Sequence, residues 1–211
     1  MGLNIKTDKA KTSFHVALTG GIASGKTMVS EAFKDLGADI IDTDKIAHMI
    51  TETGNDALKE ITLEFGKEFL REDGNLNRQL MRQTIFKDPS KRRLLESIIH
   101  PKIHYQVQRE LSIASGIYQI IVVPLLTKSP LRNIVDRVLV VDCDEKTQIE
   151  RLKERDGESE DFAKKIIASQ SSRSERMAIA DDIIINNQDF KETLVQIKRL
   201  NKKYIEISAK Q

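Results

Sequence analysis

Thr19 to Thr27, reading TGGIASGKT, restricts what this chain can fold into more than any other stretch. Gly20 and Gly25 are separated by four residues and followed at once by Lys26 and Thr27, the spacing of a loop that cradles phosphate. Glycine lets the backbone curl until amide N–H groups point inward at phosphate oxygens, where a Cβ would obstruct the approach. Lys26 supplies a mobile positive charge for the β and γ phosphates. Thr27 can offer a hydroxyl to Mg2+ from the start of a helix, whose N-terminal end already favours anions.

The flanks decide whether this spacing is a nucleotide site or a tight structural turn. Before it, Phe14 to Leu18 is a short apolar run of strand length. After it, Val29, Ala32, Phe33 and Leu36 fall at i, i+3, i+4 and i+7, a helical apolar face that stops at Gly37. Strand, glycine loop and helix is the order a phosphate site requires. The nucleotide-binding stretch is therefore expected at Gly21, Ile22, Ala23, Ser24, Gly25, Lys26, Thr27 and Met28.

Further short apolar runs lie at Ala38 to Ile41, Gln119 to Pro124, Arg137 to Val141 and Asp182 to Ile185, with helical periodicity between them. Continuous apolar character predicts strands buried on both faces of a parallel sheet. The expected fold is a doubly wound α/β core of five parallel strands flanked by helices, with its working groups at the carboxyl edge of the sheet. Residues 44–51 read as a helix, and periodicity from Thr53 to about Ser115 is almost wholly helical, which predicts an inserted helical block over about 52–117. Asp88 and Pro89 read as an N-cap and first helical residue, while His100 followed by Pro101 is expected to end that helix and start the next.

With 211 residues, one sizeable core and no linker-like tract, a single domain is expected. Thirty-four basic against 32 acidic residues leave a formal charge of +2, which argues against a nucleic-acid partner. The single cysteine, Cys143, excludes an intramolecular disulfide and suits a reducing compartment. No apolar stretch approaches membrane-spanning length, and residues 1–13 are polar, without a secretory core. A cytoplasmic protein with no membrane partner is expected, its first 13 residues a flexible extension.

Asp42 and Asp44 close the second strand, and residues two apart in an extended segment face the same way. Carboxylates there can take a proton from an attacking hydroxyl, hold Mg2+ through water, or simply cap the helix that follows. Arg151, Arg155, Arg173 and Arg176 crowd the segment between Glu145 and Asp181. Arg151 reads as part of a solvated helical face. Arg155 precedes a helix break at Gly157 and Arg173 follows the turn SQSS, places suited to a mobile flap that clamps a γ-phosphate. His100, alone before proline, reads more readily as a helix-end group than as a catalyst. His15, His48 and His104 show no metal spacing.

Taken together, the segments ALTGGIASGKT, IIDTDKIA, LLESIIHP, IIVVPLL, RVLVVD and SQSSRSERMAIADDIIINN closely resemble dephospho-CoA kinases, in order, from Phe14 to Asn187. The resemblance implies a phosphate-loop kinase fold and transfer of the ATP γ-phosphoryl group to the ribose 3′-hydroxyl of dephospho-CoA, the last step of coenzyme A biosynthesis, with Mg2+. It also implies a helical insertion that helps hold the CoA precursor and an arginine-bearing lid, about residues 145–180. Asp44 becomes the general base, with Lys26 and Arg155 beside it in catalysis. Thr19, Asp42, Asp44, His100, Pro124, Leu125 and Arg173 become acceptor contacts, and Thr27 and Asp42 the Mg2+ positions, Asp42 through water. Two small-molecule partners, ATP and dephospho-CoA, and a monomer or weak homo-oligomer are expected. Ala23 stands where a glycine is common, which is tolerable at negative φ. Thr127 and Lys128 stand where many relatives carry an aromatic residue and Glu, so no role for that Glu carries over.

Two other kinds of reading are weaker. A nucleoside monophosphate or shikimate kinase would share the loop and lid, but not the IIHP and VVPLL segments. A GTP-driven switch would need NKxD and DxxG, and a transporter ATPase an LSGGQ-like signature; none of these occurs.

Overall fold

Each apolar run becomes a strand: β1 (Phe14–Gly20), β2 (Asp39–Asp42), β3 (Tyr118–Val122), β4 (Arg137–Asp142) and β5 (Asp182–Ile185). They pair in parallel in the order β2-β3-β1-β4-β5. The computed structural model describes residues 14–157, 159–187 and 189–210, so the extension expected at 1–13 lies outside the described residues.

Alternate side chains of the central strands leave on opposite faces of the sheet and enter two cores. Phe14, Val16 and Leu18 join Phe33 of α1 (Lys26–Asp35) and Ile197 and Tyr204 of α9 (Phe190–Ser208). Ala17, Ile121 and Val140 join Ile46 of α2 (Thr43–Ile50) and Val107 of α5 (Pro89–Ile113). A third cluster is built by α3 (Asp56–Phe65), α4 (Arg78–Lys87) and the first half of α5, around Ile61, Phe65, Phe69, Met81, Leu95 and Ile98. That cluster is the core of the helical stretch read from the sequence. After β4 come α6 (Glu145–Asp156), α7 (Glu160–Ala168) and α8 (Arg173–Ala178).

Two expectations need correction. The helix expected to stop at His100 continues through Pro101 to Ile113. Proline removes the hydrogen bond to the Ser97 carbonyl, but Ser97 faces solvent, where water can accept that role. Burial holds both halves: Leu95 and Ile98 in the third cluster, Val107 against the sheet. The second correction concerns β5. Ile183 and Ile185 are 37% and 43% exposed, because β5 is the edge strand and only Ile184 joins the core shared with α9.

Candidate active site

The phosphate loop leaves β1 at Gly20 and enters α1 at Lys26, at the carboxyl edge of the sheet. Gly25 has φ 94°, and a Cβ on it would collide with the side-chain amide of Asn186, so both conformation and space demand glycine. Ala23 has φ 56°, the one non-glycine residue with positive φ among the described residues. The negative φ expected there is thus corrected, and a left-handed alanine costs about 1–2 kcal/mol.

What holds the loop in this shape is a ring of side-chain donors on its carbonyls. Gln148 Nε2 donates to Ile22 O at 2.6 Å, Arg151 Nη1 to Ala23 O at 3.2 Å and Asn186 Nδ2 to Ser24 O at 2.7 Å. Lys26 Nζ donates to Gly20 O at 3.0 Å and to Gly21 O at 2.9 Å, while Ile22 N–H donates to Gln170 Oε1 at 2.8 Å. Arg151 is therefore not the solvated residue expected: its Nη2 also donates to Asn186 O at 3.0 Å. Gln148 belongs to no motif, while Gln170 and Asn186 fall inside the segment SQSSRSERMAIADDIIINN, which by itself gave neither a role. For Asn186 a further signal was its place directly after the last strand, at the carboxyl edge.

Asp42 caps α2, its Oδ1 accepting from the N–H groups of Asp44 at 2.9 Å and Lys45 at 3.3 Å. Asp44, one residue into that helix, lines a cleft of about 700 Å³ together with Ile22, Lys26, Thr27, Pro124 and Arg155. β2 is separated from β1 by β3, yet the turn into α2 brings the carboxylate back to the loop. Desolvation by the cleft walls and then repulsion from Asp42 raise the Asp44 carboxyl above the ordinary range, against the pull of Lys26 and His48. Lys26 is pushed down to about 8, first by burial and then by repulsion from Arg176 and Arg155, with Asp44 opposing.

The arginines separate into three situations. Arg155 lines the cleft while forming two bonds to Asp156, at 2.8 and 2.7 Å. Arg173 holds the buried Asp142 carboxylate through Nε and Nη2, the shortest contact being 2.6 Å. Arg176 is buried against the loop, with its guanidinium beside Gly21, and it shares a small pocket with Thr19, Gly20, Pro124 and Leu125. The sequence places Arg176 in the arginine-rich segment without a role of its own, and its burial is visible only in the fold. Thr19 Oγ1 points to Pro124 O at 3.4 Å, so those two expected contacts adjoin each other. His100 is exposed on α5 and lines neither the loop cleft nor a second cleft of about 760 Å³ in the helical insertion. That second cleft is lined by His48, Arg71, Asn75 and Arg78 among others.

Among the described residues, no three His, Cys, Asp or Glu side chains converge as a metal site. Mg2+ is held typically by one or two carboxylates or hydroxyls plus substrate phosphates, with waters completing its shell. Thr27 and Asp42 border one groove and Thr27 and Asp44 the loop cleft, a hard-oxygen donor set that fits such an ion. Nor is any helix among the described residues long and apolar enough to cross a membrane.

The family model described as dephospho-CoA kinase matches residues 14–192, from the first residue of β1 into α9 and including every site residue above. The chain belongs to the dephospho-CoA kinase family. It is 45% identical to the dephospho-CoA kinase of Nitrosospira multiformis, over 92% of this chain and 97% of that protein. With that of Burkholderia pseudomallei it shares 47% identity over 93% of this chain and 98% of the other. The solved structure of dephospho-CoA kinase from Campylobacter jejuni superposes with a TM-score of 0.67 at 24% identity, covering 91% of this chain and 97% of that one, and shares its fold. Dephospho-CoA kinases thus supply both the sequence pattern and the architecture found here.

Proposed function

We propose that this chain transfers the γ-phosphoryl group of ATP to the ribose 3′-hydroxyl of dephospho-CoA, yielding CoA and ADP. Beyond family membership, one observation carries the reading: Lys26 of the phosphate loop and Asp44 of α2 line a single cleft. A cation for the transferred phosphoryl group and a carboxylate for the acceptor proton are therefore within one site.

Asp44 accepts the proton of the 3′-hydroxyl as its oxygen bonds to the γ-phosphorus, the bond from that phosphorus to the bridging oxygen breaks, and ADP leaves with the electron pair. The raised carboxyl affinity of Asp44 for protons supports this role. Lys26 and the loop N–H groups hold the phosphates in position. Thr27 and Asp42, through water, would hold Mg2+, whose charge neutralises phosphate oxygens when bound.

The helical insertion carries the rest of the acceptor, a reading supported by its cleft with Arg71 and Arg78 beside His48, one turn along α2 from Asp44. Helices α6 to α8 form the lid. Arg176, already against Gly21, is its innermost cation, with Arg155 at the cleft wall. A cytoplasmic setting fits the unpaired, buried Cys143.

The test is CoA formation from ATP and dephospho-CoA with Mg2+. It should greatly exceed phosphorylation of AMP, shikimate or pantothenate; equal or better turnover of any of those three would overturn the assignment.

A further inference from the structure

The loop's amides can face phosphate only if its carbonyls are held the other way, and the carbonyl of Ser24 accepts from the side-chain amide of Asn186 at 2.7 Å. Asn186 is 2% exposed and follows the edge strand β5, 162 residues from its partner. Its other amide atom, Oδ1, accepts from the hydroxyl of Thr193 on α9 at 3.1 Å, and Thr193 is 1% exposed. Ser24 O can only accept, which fixes which way the amide points and leaves Oδ1 to accept from the Thr193 hydroxyl. The backbone of Asn186 is tied as well. Its N–H donates to Asp142 O at 2.8 Å, and its carbonyl accepts from Arg151, whose other nitrogen holds Ala23 O.

We propose that Asn186 is a positioning residue for phosphoryl transfer: oriented by Thr193, it fixes the Ser24–Gly25 peptide so that the loop presents its amides to the nucleotide. It touches neither substrate nor reacting atoms. It acts through the loop, directly at Ser24 and through Arg151 at Ala23. The collision that any Cβ at Gly25 would make with the Asn186 amide belongs to the same arrangement: the glycine is needed partly because this amide comes so close. The inference rests on the loop being the nucleotide site, and it is independent of which acceptor receives the phosphoryl group.

Three substitutions at two positions test the arrangement. Asn186→Asp replaces the donor facing Ser24 O with an acceptor. Thr193→Val removes the hydroxyl that holds the amide in register, and Thr193→Ser keeps it. ADP affinity, measured by calorimetric titration with Mg2+, should weaken about 10- to 100-fold in Asn186→Asp, the range for turning one buried hydrogen bond into a repulsion. Thr193→Val should lose about three- to tenfold, and Thr193→Ser should recover most of that loss. KM for ATP should rise in step, while KM for dephospho-CoA stays within about twofold of the parent. Should Asn186→Asp fail to fold, the Val and Ser pair at 193 carries the test alone. Lower melting temperatures with ADP affinity unchanged in the folded variants would make Asn186 a structural residue only and overturn the proposal. Because ADP binding needs no acceptor, failure of the acceptor assignment would leave this result intact.

Discussion

The guanidinium of Arg151 donates to the carbonyl of Ala23 at 3.2 Å, across 128 residues of sequence, and the residue it restrains has a left-handed backbone. Strain at Ala23 is therefore held by contacts outside the loop. Ala23→Gly should relieve about 1–2 kcal/mol of that strain and lose about 0.5–1 kcal/mol to the greater freedom of glycine in the unfolded chain. The net expectation is a gain of about 0 to 1.5 kcal/mol in urea unfolding free energy, with unchanged denaturant slope. A clear loss of stability would mean that the φ of Ala23 carries no strain.

Asp44 and Asp42 should separate in single-turnover measurements across a Mg2+ series. Asp44→Asn keeps shape but cannot take the hydroxyl proton, and should lower kcat by roughly 10² to 10⁴ with little change in ATP affinity. Asp42→Asn should show a steeper dependence on Mg2+ and a small loss of stability, because its carboxylate caps α2. Rescue of Asp44→Asn by high Mg2+, with no rescue of Asp42→Asn, would reverse the two roles.

The proposed reaction needs Asp44 ionised and Lys26 protonated, which sets the direction of both limbs of the pH profile. The acid limb of kcat/KM for ATP should lie above the ordinary carboxylate range, because the Asp44 value is raised. The alkaline limb should begin near pH 8, where free Lys26 loses its proton. At saturating ATP the phosphates favour the charged ammonium, so the alkaline limb of kcat should move to higher pH. Lys26→Ala should abolish that limb and lower kcat by about 10² to 10³, the effect of removing one preorganised donor. An alkaline limb at the same pH in Lys26→Ala would assign it to another group.

Helices α6 to α8 should show slower amide exchange when ATP and dephospho-CoA are added together. Removal of one transition-state contact costs about 10²-fold or more in kcat, and Arg176→Ala should reach that level. Arg173→Ala should mainly lower stability, since Asp142 is 4% exposed and would lose its bidentate partner. Exchange unchanged between residues 145 and 178 would remove the lid from the mechanism.

The amino-acid sequence alone determined the strand–loop–helix unit, the five parallel strands and the helical insertion, because these rest on local spacing and on runs of apolar residues. Lys26 and Asp44 were legible for the same reason: a glycine pattern and the carboxyl-edge rule place them without any knowledge of distant contacts. Pro101 inside α5 was not legible, since proline signals a break locally while burial at Leu95, Ile98 and Val107 holds the helix across it. The conformation of Ala23 and the use of Gln148, Arg151 and Asn186 as donors to the loop were decided only by tertiary structure. Each of those donors meets a loop carbonyl more than a hundred residues away, so periodicity cannot report it. Arg176 likewise looks like any charged residue of a short helix until packing buries it beside Gly21. The sequence specifies which groups can bind phosphate; the fold decides which groups hold those binders in shape, because that depends on where β4, β5 and α6 end in space.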